Sequence, residues 1–444
     1  MNILLVNLPV HIPTVMPYSL TMMNAVLSSS LNEKIIPIDL NSLYHYKKFN
    51  TFYKRLDKEN YFELLKQFVN ETRHQYKEIS KSVLSNKKPE LQDFLVKQII
   101  KHNPDFVAFS LTYNSQMFFA TSIINEIIDK GIKVIIGGPA DSTKINKKAI
   151  FLNNYQELIE YLKEHGANKK QIMSDSVLDF SNYNKKEYFT KEIIYPYKIA
   201  SSCPYKLCTF CTHHSNLDYN IFGITQLKDT IFRNNIKKIC FIDDCFTVPT
   251  LKEISKILNS LSVEWWCQLR PTNDMTKILT ELYESGLRSV SWGVESGCQR
   301  ILDKMVKGTK VDDIRKVLEI SKQSGIINQI YVMFGLPTET KEEFMQTITF
   351  LEQNEKNIDL ISPSVFGLQK GSVIYEQPDK FGIESVSFKQ RTVLGQKIIY
   401  EPISGLTQKQ AMDLKRKNLG KINKINKIPK IINSAKEQVL NLKK

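Results

Sequence analysis

The sequence predicts an α/β protein: a doubly wound parallel sheet with a helical insertion, then a partial six-stranded β/α barrel, then a helical, basic tail. Three observations carry this reading. Short, almost wholly apolar runs such as NILLVNL and FVAFSL alternate with helical segments, the pattern of parallel strands buried on both faces. Six further strand-like segments recur after residue 196, at spacings of roughly 25 to 40 residues, with helical stretches between them. That is too few for an eight-stranded barrel, and no short-period repeat suggests a solenoid.

The elements follow in order. Residues 2–8 form the first strand, followed by a loop that opens at Pro9 and a helical stretch around residues 20–30. Residues 34–38 are a second strand. Residues 43–100 differ: they are charged, free of glycine and helical in pattern, and so are expected to be a helical insertion. Residues 106–111 are a strand, 116–129 a helix, and 133–136 a strand that runs into Gly137 and Gly138. This first domain is expected to span residues 1–170, and residues 171–196 to be a linker. The second series places strands at 197–202, 238–242, 263–269, 288–294, 328–333 and 359–365, with helices such as 278–285, 311–324 and 341–354. The barrel is therefore expected over residues 197–375, and the helical, basic region over residues 376–444.

Composition bounds the function. The 444 residues are 42% hydrophobic and 10% aromatic, enough to build sizeable cores. Lys plus Arg exceed Asp plus Glu by 61 − 46 = +15. The excess is spread over many lysines and is densest at the end, KINKINKIPKIINSAKEQVLNLKK, where solvated helix faces explain it as simply as an anionic partner. No zinc-finger, KH or RNP aromatic pattern accompanies it, which argues against nucleic-acid recognition. No run of 18 apolar residues occurs, and the start lacks a basic n-region and a small-residue cleavage site. A soluble, cytoplasmic enzyme that does not engage a membrane is expected.

The seven cysteines are more informative. Residues 1–202 and 299–444 contain none, so a dispersed disulfide framework is excluded. Cys203, Cys208 and Cys211 fall within nine residues, directly after a strand. Three thiolates in one loop suit soft-metal ligation. His213 and His214 keep a Cys3His zinc site open as an alternative. Three cysteines with no fourth also suit an iron–sulfur cluster that leaves one iron free for a ligand. Cys240, Cys245 and Cys267 are expected to be packing residues, and Cys298, at a helix start, to have a lowered thiol pKa.

The segment Cys203-Pro-Tyr-Lys-Leu-Cys208-Thr-Phe210-Cys211 resembles the cysteine loop of the radical SAM superfamily, with C-x4-C-x2-C where the family usually has C-x3-C-x2-C. Further resemblances follow in order along the barrel. They are Phe241-Ile-Asp243-Asp244-Cys-Phe246, Trp265-Trp266 with Arg270, Gly293-Val-Glu295-Ser-Gly297, and Gly335-Leu-Pro337-Thr-Glu339. The resemblance implies a [4Fe–4S] cluster on Cys203, Cys208 and Cys211 as both catalytic and metal-binding residues. It also implies S-adenosylmethionine, held by Phe210, Asp243, Asp244, Arg270, Glu295, Gly335 and Pro337. One electron, from a donor such as flavodoxin or ferredoxin, would then generate a 5′-deoxyadenosyl radical.

The N-terminal domain resembles the Rossmann-like cobalamin-binding domain found before many radical SAM barrels. The matching pieces are the first strand with Pro9, the strand end at Ser110 and Thr112, and Gly137-Gly138-Pro139. The resemblance implies cobalamin, with Ser110, Thr112, Gly137 and Gly138 beside its nucleotide tail at the carboxyl edge of the sheet. The loop after the first strand lacks the D-x-H-x-x-G of many such domains and offers only His11. The lack of cysteine before residue 203 excludes a methylthiotransferase-type second cluster, and the lack after Cys298 excludes a cysteine-rich C-terminal extension. What remains, by resemblance, is a cobalamin-dependent methyltransferase acting on an unactivated carbon of a peptide or secondary metabolite. The alternatives are a non-methylating cyclisation or rearrangement on the same architecture and, more remotely, a zinc or nucleic-acid-binding module.

Overall fold

The computed structural model describes residues 1–170, 177–212 and 218–442. His213 and His214 lie outside the described residues. The chain divides into two compact units: Met1–Pro196 with Asp229–Asn235 and Gln390–Gln396, and Tyr197–Lys228 with Ile236–Lys389 and Lys397–Lys444.

The first unit is built on five parallel strands: β1 (Asn2–Asn7), β2 (Lys34–Asp39), β3 (Phe106–Ser110), β4 (Lys133–Gly137) and β5 (Ile150–Phe151). Their order is β2-β1-β3-β4-β5. The chain thus winds one way from β1 to β2 and the other way from β3 onward, which puts the switch point between β1 and β3. In such sheets ligands bind outside the carboxyl ends of the strands at this point. Leu4, Val6, Val107, Phe109, Val134 and Ile136 share one core with Ile123, Ile124 and Ile127 of the helix Met117–Asp129.

The segment 43–100 is helical. Its long helix, Tyr61–Leu84, is capped by Asn60, whose side chain accepts from the amides of Phe62 and Glu63, and it buries Leu64, Leu65, Phe68, Val69, Thr72 and Ile79. Phe68 stacks on Phe189 with ring centroids 3.9 Å apart and planes 9° from parallel. The described part of 171–196, expected to be a linker, is thereby packed into this unit. Its aromatic residues Phe180, Tyr183, Tyr188 and Phe189 are all buried, which a solvated connector would not achieve.

The second sheet has six strands in sequential order: β6 (Tyr195–Tyr197), at the boundary of the units, and β7 (Lys238–Phe241), β8 (Glu264–Leu269), β9 (Leu287–Glu295), β10 (Ile327–Phe334) and β11 (Leu360–Val365) of the second unit. Strands that neighbour in sequence also neighbour in space, the winding of a β/α barrel rather than of an open doubly wound sheet. The outer edge of β11 is covered by the C-terminal segment. Ile361 donates its amide to Asn426 Oδ1, and Asn433 Nδ2 donates to the Ile361 carbonyl.

The region after residue 376, expected to be helical, opens instead with an antiparallel hairpin of β12 (Ile383–Lys389) and β13 (Lys397–Pro402). Only Val386 and Phe388 alternate with polar neighbours here, a strand signal too short to stand out in the lysine-rich tail. The helix Gln408–Ile425 follows, with a capping box between Thr407 and Gln410.

Candidate active site

The cysteine loop begins where β6 stops early. The amides of Ile199 and Ala200 do not continue a ladder. They donate to the Asp243 carboxylate, Ile199 at 3.1 and 3.0 Å and Ala200 at 2.7 Å. Asp243 follows β7 and is buried, and burial pushes its carboxyl up to about 7. Its role in this geometry is to fix the base of the loop, and both of its oxygens are engaged by backbone.

Lys206 within the loop has φ of +57°, a left-handed turn in the longer step from Cys203 to Cys208. The Tyr205 hydroxyl donates to the Val306 carbonyl (2.9 Å), and Thr209 reaches the carbonyls of Met305 and Lys304 through its amide and hydroxyl. Arg270, just past β8, lays its guanidinium 3.4 Å from the Tyr205 ring centroid and donates to the Gly308 carbonyl. Gly308 is glycine for a reason visible here. A Cβ would lie 2.2 Å from the Tyr205 hydroxyl and 2.8 Å from Arg270, at φ of +66°.

The thiols differ in environment. Cys245, expected only to pack, hydrogen-bonds the Cys203 thiol and, with the amides of Tyr205 and Lys206, holds it below the ordinary thiol range; the Cys245 thiol is pushed up in turn. Burial raises Cys208, opposed by the charges of Lys307 and Arg270. The field of Asp244 also reaches Cys203. Cys298, expected to be acidified at a helix start, is instead raised by burial: its helix, Gln299–Lys304, has only six residues and the Glu343 carboxylate lies 3.7 Å from its sulfur.

Glu295 ends β9 beyond a bulge. Tyr331 pairs with Gly293 but Val332 pairs with Glu295, so Val294 is the extra residue, and Glu295 takes φ of +63°. Its Oε1 accepts from Lys307 Nζ at 2.9 Å, with both side chains nearly buried. Burial alone would push the Lys307 amine down, but the charges of Glu295 and Cys208 outweigh it and hold the amine up. Gly293 leaves room for this amine, since a Cβ there would lie 2.7 Å from Lys307 Nζ. Lys307 also stands 5.8 Å from the Phe210 ring. Phe210 in turn packs against the cluster that includes Leu336 and Phe366, joining the cysteine loop to the residues that follow β10 and β11. There Gly335 donates its amide to Glu339, whose carboxyl burial pushes up to about 7, and Pro337 is buried beside it.

Cys203, Cys208, Phe210, Asp244, Arg270 and Glu295 are thus gathered at one end of the barrel sheet, and Gly335 and Pro337 border them through Phe210. Lys307, Tyr205 and Gly308 belong to the same assembly but were invisible as candidates. The Lys307-Gly308 step is one of three lysine–glycine steps in this chain, and only its position after the Glu295 motif could have marked it. Among the described residues no three His, Cys, Asp or Glu side chains converge on one ion. The donor set, three thiols in one pinned loop flanked by two cations, fits a cluster in kind.

The residues foreseen in the first unit lie at the carboxyl ends of its strands. Ser110 is buried, 2.9 Å from the Ser19 hydroxyl. The Thr112 amide donates to Gln116 Oε1 (2.8 Å), while Gln116 Nε2 donates to Asn7 Oδ1 and the Leu8 carbonyl, clamping the ends of β1 and β3 across the switch point. A Cβ on Gly138 would meet the Leu111 carbonyl at 2.3 Å, and one on Gly137 the Leu152 carbonyl at 3.3 Å. The fold's own backbone therefore accounts for glycine at 138. At the same edge His11 Nδ1 and Asn41 Nδ2 are buried with no partner, and burial pushes the imidazole down to about 3, so it stays neutral. Two orphaned polar atoms at a switch point fit a ligand there.

Residues 197–351 match the family model of the radical SAM superfamily. That segment, about a third of the chain, is a radical SAM domain. It is 27% identical over 164 residues to an uncharacterized methyltransferase of Pyrococcus horikoshii, covering 35% of this chain and 36% of that protein. It is 26% identical over 159 residues to the anaerobic magnesium-protoporphyrin IX monomethyl ester cyclase of Rubrivivax gelatinosus, covering 33% and 28%. The chain thus spans about a third of the length of these curated relatives. Among solved structures it resembles the cobalamin-dependent S-adenosylmethionine radical enzyme OxsB (14% identity, TM-score 0.61, 94% of this chain and 67% of that one). It also resembles the radical S-adenosylmethionine methyltransferase TsrM from Kitasatospora setae (12%, TM-score 0.64, 96% and 88%). At these identities the likeness is one of fold, and it covers residues of both units.

Proposed function

We propose that this chain is a cobalamin-dependent radical SAM methyltransferase that alkylates an unactivated carbon of a peptide or secondary metabolite. The observation that carries the proposal is the fold likeness to OxsB and TsrM over nearly the whole chain, so that it includes the N-terminal unit and not the barrel alone. When bound, the cluster with S-adenosylmethionine supplies a carbon-centred radical and cobalamin supplies the methyl group.

The chain's own residues would act as follows. Cys203, Cys208 and Cys211 would hold the cluster on the loop that Asp243 pins. Glu295 faces the ammonium or ribose of S-adenosylmethionine, and Arg270 its carboxylate, each as the charge complement of the group it meets. Phe210, Gly335 and Pro337 form an apolar wall suited to adenine. In the first unit the neutral His11 and Asn41 offer orphaned polar atoms to cobalamin at the switch point, beside Ser110 and Thr112. The electron would come from a flavodoxin- or ferredoxin-type donor.

A second reading, cyclisation or rearrangement without methyl transfer, is favoured by the cyclase among the relatives. Anaerobic reconstitution with iron, sulfide and hydroxocobalamin tests the cofactors. About four iron and about one cobalt per chain are expected, and Cys203→Ser, Cys208→Ser or Cys211→Ser should each lose the iron. With substrate, S-adenosylhomocysteine forming alongside 5′-deoxyadenosine marks methyl transfer. 5′-Deoxyadenosine alone, or iron without cobalt, supports the second reading instead.

A further inference from the structure

The two faces of the barrel sheet differ in chemistry. On the helix side Trp292 Nε1 donates to Asn328 Oδ1 (2.8 Å), which also accepts from Ser321 on the helix Val311–Gln323. The opposite, inner face carries polar side chains: Trp266 Nε1 donates to Ser291 Oγ (3.1 Å), Gln329 Nε2 to Ser289 Oγ (3.2 Å) and the Tyr331 hydroxyl to Gln268 Oε1 (2.7 Å). Gln329 Oε1 is buried on this face with no partner.

The C-terminal segment delivers one amine to this face. After covering the edge of β11, the chain makes the turn Lys436–Asn441, which packs against β8 and β9. Lys238 Nζ ties it down by donating to the Leu440 carbonyl (2.8 Å) and to Asn441 Oδ1 (3.0 Å). Lys436 Nζ then stands 3.3 Å from the Tyr331 ring centroid.

Among the described residues Lys436 makes no ion pair. The field of Glu295 reaches it, but Glu295 is already bonded to Lys307. Around Glu295 there are therefore two amines for one carboxylate, with the Arg270 guanidinium at the rim. Burial pushes the Lys436 amine down to about 7. A desolvated cation over an aromatic face, without a counter-ion, lacks one thing, an anion of single charge.

We infer that Lys436, Tyr331 and Gln268 form a subsite in the barrel for a carboxylate of the substrate. The carboxylate would pair with the ammonium, which the Tyr331 ring backs from the other side. This rests on the reading of the barrel interior as the reaction chamber of a radical SAM enzyme.

The test is carried out on the full chain, with and without its reconstituted cluster. Exposed and buried amines are pulse-methylated with formaldehyde and cyanoborohydride, and peptide mass spectrometry follows Lys436 against the exposed control Lys430. Acetate is expected to slow labelling of Lys436 roughly fivefold, as a bound anion both shields the amine and keeps it protonated, while acetamide and chloride do not. Lys430 is expected to respond to none of them. In parallel, acetate should raise the thermal midpoint of the wild-type chain, and the rise should vanish in Lys436→Met, which keeps the aliphatic stem over Tyr331.

Equal labelling with and without acetate overturns the subsite, as does equal protection by acetamide. So does a Lys436 that stays unlabelled where Lys430 reacts fully, since its amine would then not face the chamber. Protection by S-adenosylmethionine but not by methylthioadenosine overturns the assignment to substrate in favour of the methionine carboxylate. A chain that binds no iron refutes the radical SAM reading separately, because the acetate result is obtained without the cluster.

Discussion

Replacing Lys307 by methionine isolates what its pairing with Glu295 contributes. The two groups are 2.9 Å apart and their side chains only 8% and 12% exposed. Removing one partner of a buried pair leaves the other charge desolvated and uncompensated, which costs about 3–5 kcal/mol. Methionine keeps most of the stem's volume, so little cavity energy is added, and the lower end of that range, about 3 kcal/mol, is expected. For a unit of this size that lowers the thermal midpoint by roughly 6–12 °C. The assay is specific. The chain's three tryptophans, Trp265, Trp266 and Trp292, all lie in the second unit, so indole fluorescence reports on the barrel alone. The double variant Lys307→Met/Glu295→Gln removes the stranded charge and should recover most of the loss. A loss below about 1 kcal/mol, the scale of an exposed pair, or a double variant no more stable than the single one would refute the reasoning.

The remaining predictions use the same logic. Asp243 has a folded pKa of about 7 against 3.8 unfolded, so the folded state binds more protons between those values. Barrel stability should therefore fall as pH rises from about 4 to about 7 and level off above. Glu339, also near 7, has the same sign, so Asp243→Asn should reduce the slope of the fluorescence-monitored stability without abolishing it, and an unchanged slope contradicts the assignment. Gly138→Ala places a Cβ 2.3 Å from a backbone carbonyl at φ of +113° and should cost about 2–4 kcal/mol in the first unit. Hydrogen exchange should show β3 and β4 opening while the tryptophan transition stays put, and wild-type protection there would refute it. Gly308→Ala should displace Tyr205 and Arg270 and lower the iron retained after reconstitution, and full iron loading would show that the loop tolerates the shift.

What could be read from the sequence was what repeats or clusters. The alternation of apolar runs and helices revealed two parallel sheets, and three cysteines in nine residues revealed the loop that β6 delivers. What could not be read was which groups meet. Asp243 was legible as a carboxylate at a strand end, but not that two backbone amides would take it up. Gly138 was legible as a glycine before a proline, but not that the Leu111 carbonyl stands where its Cβ would be. Gln116, which joins the ends of β1 and β3, and Lys436, which lies 105 positions from the ring it covers, carry no local signal at all. Both contacts are made by tertiary structure between distant segments.

The Gly-x-Glu motif of β9 shows why such contacts matter for reading motifs. Taken alone, its glycine looks like a turn residue and its glutamate like a ligand for a cofactor. In this chain Gly293 sits inside a strand, not at a turn, and the space that its missing Cβ leaves is filled by the Lys307 amine that neutralises Glu295. The amine comes from the segment that also backs Tyr205 and Arg270 behind the cysteine loop. The three positions 293, 295 and 307 thus form one device. The glycine admits the lysine, and the lysine makes the buried carboxylate tolerable. The polar inner face follows the same rule: Trp266 is bonded to Ser291, Gln329 to Ser289 and Tyr331 to Gln268, so buried polar groups there are met by partners on other strands.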